Sequence, residues 1–167
     1  MGIGDDAGFE PATGDGRATA PDERRAASVR TAFEGMLQIR RLTNRGFPNP
    51  EGVPARWETH RPIRAVALAL EASGLAASAV DGSGARTATG YRVARGEAPG
   101  GARVEWLGPP GGGATHAEER ELGRCAAVLR ELGWTVLPYR GPRRRRFLEV
   151  EPPADVRRRD SGPDAPR

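Results

Sequence analysis

Two short segments of this 167-residue chain end alike, and they limit what it can fold into. Leu70-Glu-Ala-Ser-Gly-Leu75 and Leu129-Arg-Glu-Leu-Gly-Trp134 each close an apolar run at helical spacing with a glycine, the residue that takes up the left-handed helix-ending conformation without strain. Before the first stop, Ile63, Val66, Ala67 and Leu70 recur at i, i+3, i+4 and i+7, with Pro62 in the first turn. Before the second, Leu122, Cys125, Ala126, Leu129 and Leu132 form an equivalent stripe, and Thr115 with Glu118 has the spacing of a capping box. Helices are predicted over about 62–73 and 115–132.

Each helix is followed by two short β-prone segments separated by turn residues. The first pair is 86–94 and 102–107, joined by Arg95-Gly-Glu-Ala-Pro-Gly-Gly101; the second is 134–139 and 146–151, turning at Gly141-Pro-Arg-Arg144. Val104 and Trp106 alternate with Arg103 and Glu105, as on a strand with one buried face. The order αββαββ is the ferredoxin-like order with its first strand moved to the end. The predicted fold class is therefore α+β: a permuted ferredoxin-like, two-layer sandwich over 59–153, with a four-stranded antiparallel sheet and two helices on one face. The halves echo further, Tyr91-Arg92 against Tyr139-Arg140 and Val104-Glu-Trp-Leu-Gly-Pro-Pro110 against Leu148-Glu-Val-Glu-Pro-Pro153, although the spacings differ too much for a strict repeat.

Residues 1–20 hold few large apolar side chains, chiefly Ile3 and Phe9, and read as a disordered tail. Over 21–58 an amphipathic helix comes first, opened by Asp22 and carrying Val29, Ala32, Phe33, Met36 and Leu37 on one stripe to about Thr43. Asn44 to Pro54 then reads as an extended connector, with Trp57 anchoring it. Such a connector would let the helix dock, swing or swap. Residues 154–167 read as a second disordered, charged tail.

All 26 basic residues are arginine, which with the weight of Ala, Gly and Pro matches the codon bias of a GC-rich bacterial genome. Arginine count is thus weak evidence of a polyanionic partner. The net charge of +4 is mild and sits in the sandwich, where 14 arginines face 10 acids. A single cysteine, Cys125, calls for no oxidising compartment. The acidic start lacks a signal sequence or a myristoylation pattern, Asp6 standing where Ser or Thr is needed, and no apolar run is long enough to span a membrane. The expected location is the cytoplasm.

No catalytic, metal-binding or cofactor signature is legible. Cys125 falls on a core stripe, and His60 and His116 stand alone beside helix starts, without a second ligand at metal spacing. Gly108-Pro-Pro-Gly-Gly-Gly-Ala-Thr115 resembles a phosphate cradle only superficially: it lacks lysine, its prolines remove donors, and Glu118, Glu119 and Glu121 follow. Glu149 and Glu151 share a strand face with Glu105, where ion pairs with Arg92, Arg103 and Arg146 are the expected outcome.

The most suggestive stretch is Arg140 with Arg143, Arg144, Arg145 and Arg146, a basic hairpin tip of the kind that lies along nucleic acid phosphates. Arg157 to Arg159 would assist it. The glutamates of helix 115–132 argue against a recognition helix, and an outward set of Phe147, Glu149 and Glu151 argues against base recognition on the sheet of the RNA recognition motif kind. The alternative is an assembly module that docks a protein partner or a second copy through Phe33, Met36 and Leu37, or through the open sheet face. A small enzyme is the least supported reading. Because only the second hairpin carries an arginine tip, function is expected where the two halves differ.

Overall fold

The computed structural model describes residues 9–162. The outer parts of both predicted tails, 1–8 and 163–167, lie outside the described residues. The chain is mixed α+β, with five helices and two antiparallel sheets among the described residues: α1 (Glu23–Thr43), α2 (Arg56–His60), α3 (Pro62–Ala72), β1 (Ala79–Val80), β2 (Arg86–Ala88), β3 (Gly90–Arg95), β4 (Ala102–Leu107), α4 (Ala114–Glu131), β5 (Thr135–Arg140), β6 (Arg146–Glu151) and α5 (Ala154–Ser161). β1 and β2 form a small sheet, and the larger sheet has the order β3-β4-β6-β5. Among the described residues no helix is long and apolar enough to cross a membrane.

The core follows from strand alternation. Tyr91 and Val93, Val104 and Trp106, Val136, Leu148 and Val150 are buried with the stripe Leu122, Cys125, Ala126 and Leu129 of α4. Helix α3 is apolar all round, with Ala65 to Leu70 buried, because it has neighbours on two sides. One side meets the sheet; Leu68 on the other joins Val29 and Met36 of α1 in a second cluster, and Trp57 packs against both clusters. The two helix ends are built alike. Leu75 N–H donates to Leu70 O at 3.2 Å and Trp134 N–H to Leu129 O at 3.0 Å, across Gly74 (φ +81°) and Gly133 (φ +88°).

The connector is not a free hinge. Residues 50–52 form a 3-10 turn and Arg56–His60 a short helix, neither foreseen in the proline-rich sequence. Arg40, at the end of α1, and Glu58, on α2, have fully buried side chains and pair at 2.7 and 2.8 Å through two guanidinium nitrogens. The third nitrogen donates to Glu51 O at 2.8 Å and to Leu132 O at 2.7 Å, tying α1, the connector and the end of α4 together. Gly133 is part of this junction, since a Cβ there would collide with the carbonyl of Gly52. Asn44 Nδ2 bonds to Pro50 O and Val53 O, and its Oδ1 accepts from Arg159 of α5 at 2.8 Å.

Both tails contribute structure where they are described. Residues 9–16, predicted as disordered, lie along β3: Val93 N–H donates to Thr13 O at 2.7 Å, Tyr91 Oη to Ala12 O at 2.9 Å, and Asp15 pairs with Arg86 and Arg92. Their anchorage is largely backbone and ionic, with Phe9 half-buried against the cluster between α1 and α3 and Pro11 buried, too little apolar surface for the sequence to reveal it. Gly14, at φ +94°, lets the arm press against Tyr91 and Arg92. Residues 154–161 likewise form α5, fixed by Val156, which is fully buried, and by Asp160, which accepts from Thr59 at 2.5 Å. The predicted capping box of the second sandwich helix is not made. Gly113 precedes α4 without a side-chain cap, and Glu118 instead accepts from Arg146 N–H at 2.8 Å.

Removing one charge of a buried pair strands the other in a low-dielectric interior. Arg40→Met should therefore destabilise the fold by about 3–5 kcal/mol. The double variant Arg40→Met with Glu58→Leu, which leaves no lone charge, should recover part of that loss. Urea unfolding of the three proteins measures both.

Candidate nucleic-acid interface

The β5–β6 hairpin carries the candidate site at one end of the sheet. Arg140 and Arg146 stand opposite each other as its last strand pair, and the turn beyond them closes through Gly141 N–H to Arg145 O at 2.7 Å and Arg145 N–H to Pro142 O at 3.4 Å. Arg143 and Arg144, in the centre, both have positive φ, 61° and 60°. A tight hairpin turn of this hand favours Asn-Gly, and each side chain with a Cβ held there costs roughly 1 kcal/mol or more. Two arginines occupy the position that turn chemistry would assign to other residues.

The five predicted arginines divide by environment. Arg143, Arg144 and Arg145 are exposed, and none forms an ion pair among the described residues. Arg140 is also exposed. Arg146 instead turns back to α4, its guanidinium 2.8 Å from Glu119. That bond, with Arg140 adding to the positive field, holds the Glu119 carboxyl below the usual glutamate range. Arg157 to Arg159 do not join the tip. They follow the far end of β6, about 17 Å away along the strand, where Arg159 bonds to Asn44 and Arg157 pairs with Glu151.

The outer sheet face has two contrasting halves. On β3, β4 and β6 its acids are neutralised: Glu105 pairs with Arg92 at 2.9 Å, while Glu149, only 4% exposed, accepts from Arg103 at 2.7 Å and from Glu97 N–H at 3.1 Å. The expected pairing of Arg146 with these strand acids is not made. Toward β5 the face is aromatic. Tyr139 and Phe147 lie opposite one another with ring centroids 5.6 Å apart and planes at 18°, and the Arg103 guanidinium lies 4.2 Å from the Phe147 centroid. Tyr139 is 47% exposed and Leu137 beside it 38%.

Sequence reading missed Tyr139 because it pairs with Tyr91 in the echo between the halves. Tyr91 is fully buried opposite Trp106, whereas Tyr139 points out from the other sheet face. The useful signal was the alternation Val136, Pro138 against Leu137, Tyr139, which places the tyrosine away from buried Val136.

The remaining candidates sit elsewhere. Met36 is 2% exposed in the cluster between α1 and α3, closed to a partner while α1 stays in place, and Phe33 and Leu37 are half-buried against it. Cys125 is wholly buried and desolvation pushes its thiol up to about 12, which leaves no thiolate nucleophile near neutral pH. His60 and His116 are exposed, and among the described residues no three His, Cys, Asp or Glu side chains are placed to hold a metal.

Relieving the strained turn should stabilise the protein. Arg143→Asn with Arg144→Gly is expected to add about 1–2 kcal/mol to unfolding stability, read as a higher urea midpoint at unchanged slope.

Comparisons with protein families, with curated proteins and with solved structures find no match to this chain.

Proposed function

We propose that this chain is a small, non-catalytic accessory protein of the cytoplasm that contacts nucleic acid phosphates through the β5–β6 tip. The observation that carries this reading is the set Arg143, Arg144 and Arg145, three successive exposed cations without an acidic partner among the described residues. Elsewhere Arg25, Arg40, Arg64, Arg92 and Arg103 each meet a carboxylate, and exposed arginines without an ion pair among the described residues, such as Arg45 and Arg95, are not in a run of three. Three like charges on one turn repel each other, two of them in a strained backbone, and a polyanion relieves that repulsion. We read the four-stranded sheet as permuted ferredoxin-like; moving the first strand of that fold to the end yields a neighbour order of the β3-β4-β6-β5 kind, which supports this reading.

The test is an anisotropy titration of a labelled oligonucleotide at several salt concentrations. Three phosphate contacts should make log K fall against log salt with a slope of about −2 to −3. Changing Arg143, Arg144 and Arg145 to alanine should weaken binding and flatten the slope. Salt-independent binding would contradict the reading.

A second reading, docking of a protein partner or a second copy through α1, is favoured by Leu42 and Ile39, which are 55% and 38% exposed near the end of that helix. They lie beyond the predicted Phe33, Met36 and Leu37. On this reading Leu42→Glu should dissociate a complex seen by light scattering and leave the fold unchanged.

A further inference from the structure

We infer that the nucleic acid recognised here is single-stranded, with one base stacking on the free ring face of Tyr139 while Arg143 to Arg145 hold adjacent phosphates. This rests on the phosphate contact proposed above and narrows its substrate.

The strand order β4-β6-β5 sets Arg103, Phe147 and Tyr139 side by side on the outer face. The guanidinium lies over Phe147, and Phe147 stacks on Tyr139. Tyr139 is thus the open end of the row, on the edge strand, with nearly half its surface exposed. A planar ring held in place by a stack is an ordered platform, so little conformational entropy remains to be lost when a base lies on it. In a duplex, by contrast, the base faces are already covered by their neighbours, and only an unpaired base has a π-face to offer.

Charge and reach agree with this assignment. The arginine turn begins about two strand steps beyond the Tyr139–Phe147 pair, ~7 Å away, so a stacked base and its neighbouring phosphate can be held together. Glu149 and Glu105 on the same face are already paired with Arg103 and Arg92, and the backbone of a polyanion meets no free carboxylate from either. Pro138 on β5 discourages a further strand from pairing along this edge. The edge is left to a ligand of another kind.

The experiment compares a mixed-sequence single-stranded oligonucleotide with its duplex by anisotropy, using the full chain, Tyr139→Ala, Tyr139→Phe and the triple arginine variant, each checked for fold by circular dichroism. The single strand should bind more tightly than the duplex. Tyr139→Ala should weaken single-strand binding by roughly 5- to 100-fold, the range of one lost base stack, without altering duplex binding or the salt slope. Tyr139→Phe, which keeps the ring, should bind within about twofold of the parent. If duplex and single strand bind equally, or Tyr139→Ala binds like the parent while the arginine variant fails, the stacking inference is overturned and the phosphate contact stands. Absence of binding to either form overturns both.

Discussion

The buried pair of Arg40 and Glu58 is the constraint on which the rest of the arrangement depends. Neither side chain has any exposure, and an ion in a protein interior is tolerated only when its hydrogen bonds are answered. The guanidinium meets both oxygens of Glu58 and the carbonyls of Glu51 and Leu132; Glu58 also accepts from Ala55 N–H at 2.7 Å. Those partners belong to the connector, α2 and the end of α4. They can converge only if α1 lies in one position against α3, so a segment rich in proline and glycine becomes a fixed strut.

A fixed back leaves the rest of the surface unevenly available. Residues 9–16 and 76–78 cover the free edge of β3, where Ala77 bridges Tyr91 and Thr13 accepts from Val93. The carboxylates of the outer face at β3, β4 and β6 are committed to arginines. The end of the β5–β6 hairpin differs from both: its turn is strained, its central arginines are unpaired among the described residues, and its aromatic row is open at one side. Buried polar groups are answered at the Arg40 junction, and exposed cations are left unpaired at the opposite end of the sheet.

Much of the scaffold was legible because it depends on short-range rules. Glycine stops after Leu70 and Leu129, the stripes of α3 and α4, and alternation in β4 and β6 are local patterns that tertiary packing reinforced. The Arg40–Glu58 pair was not legible, since in a chain with 26 arginines nothing local marks Arg40 for burial. Thr115 and Glu118 have capping-box spacing, but Glu118 is drawn to Arg146 N–H, a partner 28 residues away. The arm at 9–16 escaped notice because backbone bonds and ion pairs do much of the holding, and its apolar share is only Phe9 and Pro11. At the candidate site Arg143 to Arg145 were readable as a run of arginines at a predicted hairpin turn. Tyr139 was not, because the echo with Tyr91 hides a change of face: alternation has period two, so a one-residue difference in register turns a core tyrosine into a surface one.

On the proposed function, binding is confined to the β5–β6 end while the Arg40 junction remains a rigid support. Amide chemical-shift mapping during titration with a short single-stranded oligonucleotide tests it directly. Shifts should cluster on Leu137, Tyr139, Arg143 to Arg145 and Phe147, with the amides of α1 and of Glu51 to Glu58 unmoved. Shifts centred on α1, or spread through the connector, would contradict it.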